Sequence, residues 1–195
     1  MIIDPLSHRV EMLRARVRSA YDGIGHSSGR PYIYFVYPPD QERAVRLQIA
    51  DTLRSDDSIC FHPVDLLSLT IEALRGEELQ RRDLLGDPRT PDAASDILRL
   101  WSDWLVDAVA ASLTRPQSAG RPVVVLSGMA ALHPLGTPTA LMEGIAEEEP
   151  RDPATNRILP IVLLVPGTRP AGVSRRYRFL GLERLTLDFY RGEEL

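Results

Sequence analysis

Ser127 is the side chain in this sequence best placed for nucleophilic chemistry, because it follows an apolar run that predicts a buried strand. Its base would have to be His62 or His133. The nucleophile elbow of serine hydrolases has glycine two residues before and two residues after the serine. Val125 and Met129 stand at those positions. We therefore interpret the Ser-Gly pair as a turn that leaves a strand, and hydrolysis at Ser127 stays as an alternative.

Metal-binding chemistry has little support in the residue types. The four histidines are scattered without an HExxH pattern, and Cys60 is the single cysteine, so neither an internal disulfide nor a cysteine zinc site can form. Three consecutive glutamates, residues 147–149, splay around a helix end and indicate a solvated acidic face. We expect no metal site and no cofactor.

Lysine is absent, so all 23 basic residues are arginine. A P-loop needs a lysine on the nucleotide phosphates, and Schiff-base chemistry needs an amine that can lose its proton. The segment after the first predicted strand, residues 37–40, also has no glycine to form a phosphate loop. The sequence therefore predicts no ATP binding or hydrolysis.

The arginines are concentrated toward the carboxyl-terminal end. Residues 157–191 contain seven arginines and two acidic residues, a net charge of +5, whereas the rest of the chain carries −9 of the total of −4. Such a segment could contact phosphate, nucleic acid or an acidic protein. Alternatively, it is a solvated loop or pairs with acidic residues of the same domain. The candidate contacts are Arg169, Arg175, Arg176 and Arg178.

The elements that must position these residues alternate between strands and helices. Strands are predicted at residues 32–37, 59–62, 123–126, 158–165 and 185–190. Helices are predicted at 4–20, 40–54, 63–74, 77–85, 93–113 and 139–146, with an exposed loop at 86–91. Continuous apolar strands between helices indicate a three-layer α/β/α sandwich with a mainly parallel five-stranded sheet. A P-loop-like strand order 5-1-4-3-2 and a flavodoxin-like order 2-1-3-4-5 both fit.

In an open parallel sheet, ligands bind beyond the carboxyl ends of the strands. That rule defines a candidate strand-end site. Its residues are Tyr37, Pro38, Pro39, His62, Ser127, Gly128, His133, Pro166 and Gly167.

The length of 195 residues suits one domain, in which residues 1–30 form a helical lead-in with a flexible connection and residues 31–191 form the core. The longest apolar run, residues 161–165, is far shorter than the roughly 20 residues of a membrane span. The first residues do not read as a signal peptide. We expect a cytoplasmic protein.

Several short motifs occur in an order that resembles the BrxB family of bacteriophage exclusion (BREX) systems. The resemblance spans residues 32–191, and the 86–92 and 147–156 segments depart from it because they look longer than in that family. The motifs are Tyr37-Pro38-Pro39, Leu126-Ser127-Gly128 with Ala130-Ala131 and Pro134, Pro166-Gly167, Ser174 with Arg176, and Phe179-Leu180-Gly181-Leu182.

The resemblance implies a cytoplasmic phage-defence component with no established catalytic motif, acting beside a DNA methyltransferase, an ATPase and a PglZ-like phosphatase-superfamily protein. The expected function is that of a non-catalytic adaptor or regulator that binds the PglZ-like protein. A module that binds nucleic acid or phosphate through the arginine-rich region is the first alternative, and a divergent hydrolase at Ser127 is the second.

Overall fold

A parallel sheet lies at the centre of the computed structural model, which describes residues 5–23, 32–113, 120–172 and 175–195. The strands are β1 Tyr32–Tyr37, β2 Ile59–Asp65, β3 Arg121–Ser127, β4 Ile161–Thr168, β5 Arg176–Phe179, β6 Thr186–Asp188 and β7 Glu193–Glu194. The helices are α1 Pro5–Gly23, α2 Glu42–Thr52, α3 Leu66–Leu74, α4 Glu78–Gly86, α5 Ala93–Leu113 and α6 Pro138–Glu148. Most of the predicted flexible connection, residues 24–30, and Ser174 lie outside the described ranges.

Helices cover both faces of the sheet, which confirms the predicted three-layer α/β/α fold. On one face α1 and α2 pack their apolar side chains against the sheet, and on the other face α3, α5 and α6 do so. Successive residues of β4 alternate between the two cores: Leu163 faces the α3–α5–α6 side, whereas Val162 and Leu164 face the α1–α2 side. A strand buried on both faces has to be apolar at every position, which explains the continuous run.

The strand order is β2-β3-β4-β1-β7, and all five strands are parallel. Counted in chain order and read from β7, this is the P-loop-like order 5-1-4-3-2. It decides between the two orders that the sequence allowed. In this order β1 lies between β4 and β7, and the carboxyl end of β2 lies beside that of β3.

The predicted fifth strand, residues 185–190, is wrong in extent and in place. Only residues 186–188 are extended, as β6, which pairs antiparallel with β5, and β5 pairs antiparallel with the end of β4. The fifth parallel strand is β7, whose two glutamates carry no apolar signal. Tyr177 and Phe179 in β5 are completely buried in the core.

The structure corrects two predicted element boundaries that lie near prolines. Pro63 does not open a helix but lies within β2, and α3 begins three residues later at Leu66. Since β2 is an edge strand, a missing N–H donor can be tolerated there. β4 begins at Ile161 rather than at residue 158 and continues through Pro166 to Thr168, where β5 joins it.

Candidate functional site

Asp65 is the centre of a polar cluster at the carboxyl ends of β2 and β3. It lies opposite Ser127 in the strand pairing, and the Ser127 hydroxyl donates a hydrogen bond to Asp65 Oδ1 at 3.4 Å. The Ser68 hydroxyl donates to Asp65 Oδ2 at 2.8 Å, and Arg46 Nη2 lies 3.3 Å from Oδ1. The sequence missed Asp65 because β2 was expected to end at His62.

The environment of Asp65 keeps its carboxylate ionised. Partial burial raises the pKa of Asp65, but the hydrogen bond from Ser68 and the charge of Arg46 outweigh this effect, so its pKa is lowered. A carboxylate with a lowered pKa is a weak general base. This geometry therefore suits Asp65 to joining β2, β3 and α2 better than to activating the Ser127 hydroxyl.

Gly128 forms the turn that was expected after the third predicted strand. Its φ is +72°, in the left-handed region, and the short 3-10 helix Met129–Leu132 follows it. A Cβ atom at this position would lie 2.4 Å from Asp65 Oδ1 and 2.9 Å from the Leu67 backbone nitrogen. Glycine is therefore needed both for the backbone conformation and for the close approach of Asp65.

The two candidate histidines do not join this cluster. His62 lies inside β2 opposite Val124 and is buried, so its predicted position at a strand end is wrong. His133 is half-buried after the 3-10 helix. Within the described chain the Ser127 hydroxyl is hydrogen-bonded to Asp65 and to no histidine. The arrangement therefore lacks the serine–histidine contact that a nucleophilic triad uses.

The residues after β1 and in β4 have structural contacts. Tyr37 is buried at the end of β1 and its hydroxyl donates to Glu42; burial first, and then this hydrogen bond, raise the pKa of Tyr37. Pro38 precedes the 3-10 helix Pro39–Gln41, and neither proline offers an N–H donor to a phosphate. Pro166 lies inside β4 opposite Tyr37.

Gly167, also in β4, lets the antiparallel β5 approach closely. A Cβ at Gly167 would lie 2.6 Å from the Arg178 carbonyl oxygen. Together, the strand-end candidates comprise a buried tyrosine, two turns, a half-buried histidine and three interior strand positions. Of this set, Ser127 and Gly128 lie against Asp65 in the polar cluster.

The candidate arginines form ion pairs within the molecule. Arg176 Nε lies 2.9 Å from Asp188 Oδ1, and Arg178 Nη2 lies 3.6 Å from Glu183 Oε1. Arg169 pairs with Glu194 of β7. Arg175 is exposed and has a φ of +68°. Of the alternatives left open by the sequence, pairing within the domain describes three of these four arginines.

A group of exposed apolar side chains lies on the helical layer formed by α3, α4 and α5. Six of the eight large apolar residues that are exposed in the described chain belong to these three helices. We call this group the α3–α5 surface. Its members are Leu67, Ile71, Leu79, Leu84, Leu85 and Leu100. Both α3 and α4 contact α5, so the three helices form one continuous layer.

A groove of about 430 Å³ runs between α4 and the first half of α5. Leu84 and Leu100 line it together with Ile97 from the core. Asp92 and Asp96 provide carboxylates along the same groove. The sequence carried one signal of this surface, since α3 has more apolar residues than a single buried helix face requires.

Comparison of the chain with protein-family models, with curated proteins and with solved structures finds no match. No helix in the described ranges combines the length and the apolar character needed to cross a membrane. A function therefore has to be inferred from the sequence resemblance and from the surfaces described above.

Proposed function

We propose that this protein is a non-catalytic adaptor or regulator that binds another protein through its α3–α5 surface. The partner is a PglZ-like phosphatase-superfamily protein of a BREX-type phage-defence system in the bacterial cytoplasm. One observation carries the adaptor function, namely the concentration of exposed leucine and isoleucine side chains on three consecutive helices. The resemblance of residues 32–191 to the BrxB family supports the identity of the partner.

Exposed apolar side chains of this size favour association. Leu79 is 66% exposed and Ile71 is 57% exposed. Burying such a side chain contributes roughly 1.5–3 kcal/mol through the hydrophobic effect. Soluble monomers rarely expose large contiguous apolar patches, and those that do commonly use them to bind other proteins. A helical layer carrying six such residues is therefore suited to docking a partner.

The polar cluster at the strand ends supports the same proposal. Asp65 bridges β2 to α2 through Arg46 and to β3 through Ser127, and Gly128 packs directly against it. These contacts give the cluster a structural role in holding the sheet and the helices together. On this proposal, binding rather than chemistry at Ser127 is the activity of the protein.

The test is co-purification of this chain with a PglZ-like protein of a BREX system, followed by calorimetric titration of the two purified proteins. We expect a stable complex. Leu79→Asp and Ile71→Asp should each weaken it by about tenfold or more, because a charge would enter an apolar interface.

Leu47→Asp is the matched control, since Leu47 is 64% exposed but lies on α2, on the other face of the sheet. It should leave the affinity within about twofold, a change well under 1 kcal/mol. Ser127→Ala should also bind like the wild type and preserve phage resistance. Absence of a complex at micromolar concentrations, or equal losses from Leu47→Asp and Leu79→Asp, would contradict the proposal.

A further inference from the structure

We infer that the groove between α4 and α5 receives an amphipathic helix of the partner protein whose apolar side chains are flanked by basic residues. This inference rests on the proposed adaptor function and specifies what kind of segment binds. It follows from the shape of the groove, from the charges around it and from the helices that form it.

The groove has a mixed lining, with apolar side chains on both walls and beneath them and polar side chains between. Leu84 of α4 and Leu100 of α5 are each 39% exposed on its walls, and Ile97 lies beneath them with 5% exposure. A volume of about 430 Å³ is in the range of pockets that enclose several side chains of a ligand. Leucine-sized side chains of a bound segment can therefore be buried between the two helices.

The arginines of the groove are already neutralised. Arg81 is 8% exposed, donates from Nε and Nη2 to Glu77 Oε2 at 3.1 and 2.9 Å, and lies over the Trp104 ring at 5.2 Å. Arg89 donates to both carboxylate oxygens of Asp87 at 2.8 to 3.1 Å. Neither arginine is therefore left as an uncompensated positive charge for an acidic ligand.

The carboxylates of the groove are much less compensated. Asp92 has no ion pair within the described chain, and Asp96 is paired only with Arg99 at 3.9 Å, both side chains being about 70% exposed. Such an exposed pair contributes little. Asp103 and Asp107 are also exposed and continue the helical stripe that begins with Asp96 and Leu100. A line of carboxylates therefore extends along α5 from the groove toward the carboxyl-terminal half of the helix.

The helical segment from α3 through most of α5 also has a net negative charge. Residues 66–107 contain nine acidic residues and five arginines, a net charge of −4, which equals that of the whole chain. The remainder of the molecule is formally neutral. A basic segment would be attracted to this surface, whereas an acidic segment, or the same surface of a second copy of this chain, would be repelled by it.

The helical walls favour a helix as the occupant. Segments that bind as an added strand need the free edge of a sheet, but this groove lies in the helical layer. A helix placed between two helices presents apolar residues spaced three and four apart to the groove, and its flanking residues reach the rim. Basic side chains at those flanks would meet Asp92 and Asp96.

The experiment uses three synthetic helical peptides of about 18 residues, long enough to follow most of α5. The first carries leucines along one face and arginines beside them. The second has glutamates in place of the arginines. The third has the composition of the first, with the leucines distributed around the helix. Binding to the full chain is measured by fluorescence anisotropy, and hydrogen exchange locates the bound peptide.

We expect the first peptide to bind about tenfold or more tightly than the other two and to slow exchange in α4 and α5. Leu84→Asp and Leu100→Asp should weaken its binding by about tenfold, while Leu47→Asp on α2 should not. Asp96→Asn should weaken binding and reduce its salt dependence. Asp51→Asn is the matched control, since Asp51 and Asp96 have the same 68% side-chain exposure and each pairs with an arginine three residues on.

Equal binding of the first and third peptides would overturn the inference, because attraction would then be electrostatic without recognition of an apolar face. Absence of binding by the first peptide would also overturn it. So would self-association of the wild type that Leu84→Asp abolishes, since the occupant would then be a second copy.

The peptide results separate the inference from the proposed function. If the PglZ-like protein binds and Leu79→Asp weakens that complex, while the peptides fail, the adaptor function stands and the groove assignment is wrong. If the first peptide binds as expected and the PglZ-like protein does not, the groove assignment stands and the choice of partner is wrong.

Discussion

Position 128 requires glycine for two reasons: the backbone is left-handed there, and the Asp65 carboxylate lies where a Cβ atom would be. Its φ of +72° is costly for residues with a Cβ atom, and Asp65 Oδ1 occupies the space where that atom would lie. Asp65 in turn accepts hydrogen bonds from Ser68 and Ser127 and forms an ion pair with Arg46. A methyl group at Gly128 would therefore disturb contacts between two strands and two helices.

We predict that Gly128→Ala lowers the free energy of unfolding more than Gly76→Ala does. Gly76 also has a positive φ, +86°, but a Cβ there would meet no atom within 4 Å. The control therefore carries only the conformational cost, roughly 1–2 kcal/mol. Gly128→Ala should cost at least about 1 kcal/mol more, because Asp65 must move away from its partners. Urea denaturation measures both values, and equal losses would show that Asp65 moves freely.

At the scale of elements, α1 contacts the sheet through hydrogen bonds from an arginine as well as through apolar packing. Val10, Leu13 and Val17 are completely buried, and Arg9 Nη2 donates to the Val36 and Leu195 carbonyl oxygens at 2.6 and 2.8 Å. The guanidinium also lies 4.5 Å from the centre of the Phe35 ring. Burial, followed by the charge of Arg169, lowers the pKa of Arg9.

We predict that Arg9→Ala lowers the free energy of unfolding by about 2 kcal/mol, since two carbonyl oxygens lose a charged donor. Arg16→Ala on the same helix is the control. Arg16 pairs with Glu193, and both side chains are about two-fifths exposed, so this pair should contribute at most about 1 kcal/mol. Guanidinium chloride denaturation of the two variants gives the comparison. A larger loss from Arg16→Ala would mean that α1 is held mainly at its β7 contact.

The elements that the sequence predicted correctly have strong local signals. The aromatic and β-branched run of β1 and the apolar stripe of α5 were placed at the observed residues, because their side chains face a core along the whole element. β7 was missed because two glutamates carry no such pattern. Its place beside β1 is set by pairing with distant residues, which a local pattern cannot contain.

The candidate site was harder to predict than the fold. The sequence placed Ser127 and Gly128 correctly at the end of a strand, yet it missed Asp65, because Pro63 suggested the start of a helix three residues too early. It identified the arginines but could not show that Asp188, Glu183 and Glu194 pair with them. Such contacts depend on how β5, β6 and β7 meet in space.

At the scale of the whole molecule, two surfaces that differ in charge and in exposed apolar side chains are candidates for binding a partner. The β5–β6 hairpin carries arginines whose charges are offset by ion pairs, whereas the α3–α5 surface combines exposed apolar side chains with excess acidic residues. Buried apolar contacts supply most of the energy of a protein interface. The α3–α5 surface therefore has the greater capacity for stable binding.

We predict that replacing Arg175, Arg176 and Arg178 together by alanine preserves binding of the PglZ-like protein within a few-fold. The free energy of unfolding should fall by no more than about 2 kcal/mol, because exposed ion pairs contribute at most about 1 kcal/mol each. Calorimetric titration and urea denaturation of the triple variant test the two statements. Loss of the complex with unchanged stability would instead make the hairpin the interface.

The parallel part of the sheet ends in two strands that are poor templates for another chain. β2 contains Pro63, and β7 consists of two glutamates in the described chain. A proline removes a donor from the edge, while a two-residue strand offers few backbone donors and acceptors to another strand. Concentrated solutions of this protein should therefore resist strand-to-strand polymerisation through these two edges.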